Sequence, residues 1–327
     1  MNGSLRRLRS RILTPSISAT KMSVRGFRVK DYESQAVLET IGRTFLTGYA
    51  AATRVPSTGE VAAELADVPT RFRGFAYEGA AMGLAMLDGL PGGGNRRVAE
   101  FLDGAGRDHV YMVYVGVGWA AARLPGFRRS RLAAPDPLLR WLALDGYGFH
   151  QAYFRTGRYV DGQAVDPVSW PVHGAPYAGR AVDQGIGRAL WFVCGTDPRL
   201  VADRIEAFAE DRRGDLYSGA GLAAGYAGGA DEKELRVLRE RAGRYRPELA
   251  QGCAFAAEAR LRADLLVPHV ELATEVLCST TPQEAARVCT ERMPARPADP
   301  AADARAEVPA YEAWRRDIAA ALVPGQD

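Results

Sequence analysis

The sequence predicts an all-α fold, built of helical-hairpin repeats that form a curved solenoid or an α/α toroid. Two observations predict it. First, a glycine-led pattern recurs along the 327 residues, starting at Gly79, Gly116, Gly146, Gly185, Gly219 and Gly252, with spacings of 37, 30, 39, 34 and 33 residues. A period of roughly 30 to 40 residues suits one helix pair per repeat. Second, the copies agree in side-chain size. Two residues after the first Gly the residue is always small: Ala81, Gly118, Gly148, Gly187, Gly221, Ala254. Four after it stand Gly83, Ala120, Ala189, Ala223 and Ala256, with His150 as the exception. Three after it the residue is bulky and apolar (Met82, Trp119, Phe149, Leu222, Phe255), with Arg188 as the exception. Small residues four apart share one helical face and let a second helix come close. The bulky neighbour is then expected to fill the adjoining groove. Gly costs ~1 kcal/mol per helical position relative to Ala, so its repetition implies close packing that offsets this.

The elements follow in order. Residues 1–29 carry Arg6, Arg7, Arg9 and Arg11 and then a Ser/Thr stretch. They lack the apolar core of a secretory signal and read as a flexible basic arm, suited to docking on an anionic surface. Residues 30–293 form the repeat domain. Asp31 to Thr53 has Val37, Leu38, Ile41, Phe45 and Leu46 at helical spacing, and Gly48 starts a degenerate earlier copy. Arg54 to Gly59 is a turn, and a short helix covers Glu60 to Ala66. Copies at Phe72–Leu87, His109–Leu124 and Leu138–Phe154 alternate with a short helix, Arg97–Leu102, and an Arg-rich connector. Arg155 to Pro176 is the least helical stretch and holds Tyr159, Asp161, Asp166, Trp170 and His173. It reads either as a functional loop or as a connector between two halves. Asp197-Pro198 starts a helix over Arg199–Glu210, a charged helix follows over Asp231–Arg241, and Thr281-Pro282-Gln283-Glu284 starts another. Residues 294–308 are a Pro- and Ala-rich linker. Residues 309–327 hold a last helix that caps the array through Trp314.

Composition narrows the function. The chain is 47% apolar and 25% charged, with a net charge of +3, as expected of a soluble globular protein, and its unpaired cysteine pattern fits a reducing cytoplasm. Apart from Lys21, Lys30 and Lys233 its basic residues are all Arg, and beyond the basic start nothing points to nucleic acid. The longest apolar run, Val110 to Ala122, is too short for a transmembrane span. Cys194, Cys253, Cys278 and Cys289 have no C-x-x-C spacing, and three lie in apolar helical stretches where buried thiols are expected. The four histidines, His109, His150, His173 and His269, show no helical metal-pair spacing. No metal is expected, and the cofactor is left unknown. No nucleophile elbow, dinucleotide fingerprint or Asp-rich diphosphate motif is present.

Candidate chemistry rests on the exceptions to the repeat. His150 and Arg188 are polar in columns that are otherwise small or apolar. With Asp183 they form the candidate catalytic set: His150 to exchange a proton and Arg188 to hold an anion or carbonyl. The competing reading pairs Arg188 with Asp183 or Asp215 structurally. The residue before each first Gly is Glu78, Val115, Asp145, Gln184, Ser218 or Gln251, five of them polar. They read either as helix N-caps and inter-helix hydrogen bonds, a role suited to Asp145 and Ser218, or as a polar strip lining a cavity. Glu78, Trp119, Asp145, Gln184 and Gln251 are the candidate substrate-binding residues.

The segments Gly74–Met82, Gly116–Ala120, Asp145–His150, Asp183–Arg188, Tyr217–Ala223 and Ala250–Phe255 together resemble a bacterial family of unknown function encoded in enediyne polyketide biosynthetic clusters. The resemblance spans roughly Gly26 to Met293. It implies a role beside an iterative polyketide synthase, where a linear polyene becomes the enediyne core, and it implies no reaction, cofactor or catalytic residue. The expected function is therefore that of an accessory protein binding or processing a polyene or polyketide intermediate in an apolar groove, with other biosynthetic proteins as possible partners. The alternative is a non-catalytic α-repeat scaffold. A closed apolar cavity with His150 and Arg188 facing in would favour the first.

Overall fold

The computed structural model describes residues 3–94, 96–168, 170–172 and 174–323. All regular structure among them is helical. The chain starts with α1 (Gly3–Leu13) and the single turn α2 (Met22–Arg25). Then α3 (Tyr32–Arg54) is followed by the short α4 (Thr58–Leu65), α5 (Thr70–Gly89) by α6 (Arg97–Asp103), and α7 (Val110–Arg123) by α8 (Gly126–Arg129). After α9 (Trp141–Phe154) comes a π turn, Gly157–Asp161, and a loop to α10 (Ala178–Val193). The rest is regular: α11 (Pro198–Glu206), α12 (Glu210–Ala227), α13 (Glu232–Ala242), α14 (Arg246–Arg262), α15 (Pro268–Cys278), α16 (Pro282–Glu291), α17 (Pro300–Arg305) and α18 (Ala310–Leu322).

The glycine-bearing helices α3, α5, α7, α9, α10, α12 and α14 pack consecutively as an inner layer, and the shorter helices connect them. One backbone rule joins neighbours. A β-carbon on the first Gly of each copy would stand 1.8 to 2.2 Å from the carbonyl oxygen of the residue just before the first Gly of the previous copy: Gly79 on Phe45, Gly116 on Glu78, Gly146 on Val115, Gly185 on Asp145, Gly219 on Gln184, Gly252 on Ser218. Only a residue without a β-carbon fits. The Gly Cα–H groups meet those carbonyls instead, in the manner of weak C–H···O bonds. Gly83, four residues beyond Gly79, meets Tyr49, four beyond Phe45, so successive inner helices run parallel. The rule also corrects the register of the first copy. Leu46 occupies the first-Gly position, and Gly48 is its second small residue, pressed on the carbonyl of Ala76.

The inner layer curls so that its later helices, α12 and α14, come back to the early ones. Phe75 of α5 packs edge-on against Tyr226 of α12 at 5.1 Å, and Tyr111 of α7 donates to Glu258 of α14 at 3.2 Å. Fully buried Arg260 of α14 donates to the carbonyls of Leu265, Tyr226 and Arg71, tying α14 to α12 and to the start of α5.

Two expectations change. Residues 3–13, read as part of a flexible arm, form α1, which packs on α3: Arg9 donates twice to the carbonyl of Thr53, and Ser10 to that of Ala50. The linker at 294–308 contains α17, started by Asp299, whose carboxylate accepts from two backbone N–H groups. Both segments gain backbone and side-chain partners from the body of the protein, which composition does not reveal. His173, singled out in the loop after α9, lies outside the described residues.

Candidate ligand cavity

The inward stripe of the repeat runs through positions four before, one before, three after and seven after the first Gly, a spacing that stays on one helical face. It lines a mostly apolar, partly open cavity, with about 880 Å³ of atom-free space when the open solvent at its mouth is included. Met82, Trp119, Phe149, Arg188 and Leu222, the bulky column of five copies, all line it. The expectation that this column fills grooves between helices is thus corrected. The glycines bring the helix backbones together, leaving no groove to fill, and the large side chains turn inward.

A second, smaller cavity adjoins the first, with about 490 Å³ of atom-free space when open solvent is included. Met112, Arg188, Leu222 and Tyr226 belong to both walls. Beyond them the second cavity is bounded by Asp145, Phe255 and, from α18, Tyr311 and Trp314. Trp314 caps this end, its indole donating to the carbonyl of Cys289 at 2.8 Å.

Arg188 sits where the two cavities join. Its guanidinium lies over the Phe149 ring at 5.0 Å, and its Nη2 stands 2.6 Å from Asp145 Oδ1. The pairing expected with Asp183 or Asp215 is replaced by this one. The contact is electrostatic: neither atom has hydrogen-bond geometry to a partner among the described residues, and Arg188 Nε has none either. Around it, His150 Nδ1, Tyr226 OH and Trp119 Nε1 are also buried without partners. Each such group costs ~1–3 kcal/mol when left unsatisfied. They gather along the walls of the two adjoining cavities, Asp145 on the second and the others on the first.

The electrostatics are set by burial. Loss of water pushes Glu78 up to about 7, while Arg188 pulls it down, Asp145 pushes it up, and the nearby Trp119 indole favours its carboxylate. Burial likewise raises Asp145, with Arg188 opposing. Burial, helped by Arg123, drives His150 down to about 3, so its imidazole stays neutral at physiological pH. The cavity therefore offers a carboxyl raised toward neutrality, the guanidinium groups of Arg123 and Arg188, and a neutral imidazole.

The remaining candidates lie elsewhere. Asp183 is held by both Arg212 Nε and Nη2, at 2.9 and 2.5 Å, and lines neither cavity. Gln184 donates to Tyr177 OH and Asp215, and Gln251 accepts from Ser218 and from Arg315. These residues belong to a buried network in which Arg315 of α18 also reaches Tyr177, Asp215 and Glu312 at 2.7 to 2.8 Å. Asp145 and Ser218 sit inside α9 and α12, so neither caps a helix; the polar column serves partly the cavity and partly this anchor. Tyr226 and Arg123, both on the first cavity's wall, are the residues that the sequence reading missed. Each stands four residues beyond the bulky column, and that spacing was the available signal. The other described histidines are structural: His109 stacks on Tyr77 at 3.6 Å, and His269 Nε2 lies 3.2 Å from the carbonyl of Tyr226. Among the described residues no group of His, Cys, Asp and Glu is arranged to hold a metal ion, and no helix is long and apolar enough to cross a membrane.

Residues 4–322 match the family described as "Protein of unknown function (DUF1702)". The chain belongs to this family. The match spans α1, the inner layer and α18 alike, so the segments at both ends are part of the family's unit. No curated protein and no solved structure matches the sequence significantly.

Proposed function

We propose that this protein binds a long, apolar, polyene-like intermediate of polyketide biosynthesis in the joined cavities, as an accessory protein of enediyne assembly. The observation that carries the reading is the set of buried polar atoms without hydrogen-bond partners on His150, Tyr226 and Trp119, beside the Arg188–Asp145 ion pair, along the walls of two mostly apolar cavities. An extended hydrocarbon would occupy both cavities. A carbonyl or carboxylate along it would meet Arg188 at their junction, with Glu78 in reach to hold or release a proton. The pathway rests on the resemblance of the six motif segments. A scaffold role is the second reading, since α-repeat arrays commonly bind proteins.

The test is native mass spectrometry and absorption of the protein purified from a host co-expressing the cluster's polyketide synthase. The wild type should retain a polyene chromophore, and Arg188→Ala and His150→Ala should lose it. A protein that carries no ligand but stays in complex with another cluster protein would replace this reading by the scaffold.

A further inference from the structure

The first thirty residues contain eight basic side chains and no acidic one, although the whole chain has a net charge of only +3. Within them, α1 sends Leu13 toward the core but also polar groups. Arg9 and Ser10 bond the backbone of α3, and Leu8 and Ile12 are left 54% and 72% exposed. Leu8 and Ile12 are four residues apart, as are the exposed Arg7 and Arg11 beside them, so one outer strip alternates apolar and cationic side chains. Ile17 and Val24 continue the exposed apolar series at 58% and 52%. On the inner side of the same segment, Pro15, Ala19 and Thr20 form part of the wall of the large cavity. Beside α1, Arg6, Arg9, Arg96 and Arg97 face one cleft.

We propose that the segment from α1 to α2 docks the protein peripherally on an anionic lipid bilayer, with Leu8, Ile12, Ile17 and Val24 entering the interface and the arginines meeting lipid phosphates. A strip with apolar and guanidinium side chains interleaved fits a surface that is apolar below and anionic above. Docking there brings a wall of the cavity to the bilayer, so that an apolar chain dissolved in lipid can enter without crossing water. This loading role rests on the ligand reading above; the docking itself does not.

The experiment is flotation with phosphatidylcholine vesicles, with and without phosphatidylglycerol, at low and high salt. The wild type should float with the anionic vesicles only, and less at high salt. Arg7→Glu/Arg11→Glu and Leu8→Asp/Ile12→Asp should each weaken binding by at least about tenfold. Both double variants alter exposed side chains, so an unchanged melting temperature separates lost docking from lost fold. Failure of the wild type to float, or flotation of Leu8→Asp/Ile12→Asp as wild type, overturns the proposal. Saturable binding of inorganic phosphate without flotation would overturn it in favour of a soluble-anion site in the arginine cleft. Flotation needs no cavity ligand, so its failure leaves the ligand reading standing, and normal flotation of a protein that retains no polyene would refute the ligand reading alone.

Discussion

A β-carbon placed on Gly185 would stand 1.9 Å from the carbonyl oxygen of Asp145, far inside any van der Waals contact. Because the obstacle is helix backbone, no rotamer change relieves it, and Gly185→Ala must push α10 off α9. We expect a loss of at least ~3 kcal/mol by chemical denaturation. Gly179, in the same helix, is exposed with nothing near its added β-carbon. Gly179→Ala should therefore be neutral or gain up to ~1 kcal/mol. Equal effects at the two sites would refute the backbone-contact account of the repeat.

Glu78 gives the fold a pH signature. Its carboxyl is raised by burial from 4.5 to about 7. Between those values the folded chain keeps a proton that the unfolded chain releases, so this residue's contribution to stability falls as pH rises through that window. Glu78→Gln removes the cost of ionisation. The variant should gain on the wild type from pH 5 to pH 8, by up to ~3 kcal/mol. Parallel melting curves across that range would mean that Glu78 ionises with its usual affinity.

Arg315 fastens α18 to the body. It is buried with Asp215 and Glu312, and Arg180 and Arg316 also pair with those carboxylates. Arg315→Ala leaves the acidic groups without their central cation and should cost ~3–5 kcal/mol. Arg287→Ala is the control, since its pairs with Glu284 and Glu291 lie on the exposed face of α16; it should stay within ~1 kcal/mol of wild type. The comparison is read from urea midpoints at constant slope.

The four cysteines are buried and unbridged. Burial pushes Cys194 up to about 12 and Cys289 well above its ordinary value, and the contact with Cys278, aided by burial, raises Cys253. The native protein should be inert to Ellman's reagent at pH 8 and release four equivalents after denaturation. Fast labelling of any one thiol in the native state would reveal local opening.

The primary structure alone determined the helical class, the repeat, its period and the need for close helix contacts, because a β-carbon is a local property and glycine repeats at fixed spacing have few other causes. It marked His150 and Arg188 as departures, and both reach the cavity. It could not decide where the bulky column pointed, since groove and cavity demand the same apolar side chains. Nor could it sort the polar column. Glu78 and Asp145 face the cavities, whereas Gln184 and Gln251 join Arg315, which comes from a helix outside the repeat. Gln251 is 64 residues from Arg315 in the chain, and Asp215 is 100. Only the curl of the inner layer and the return of α18 bring them together, and that depends on the summed crossing geometry of many helices, which no single segment encodes.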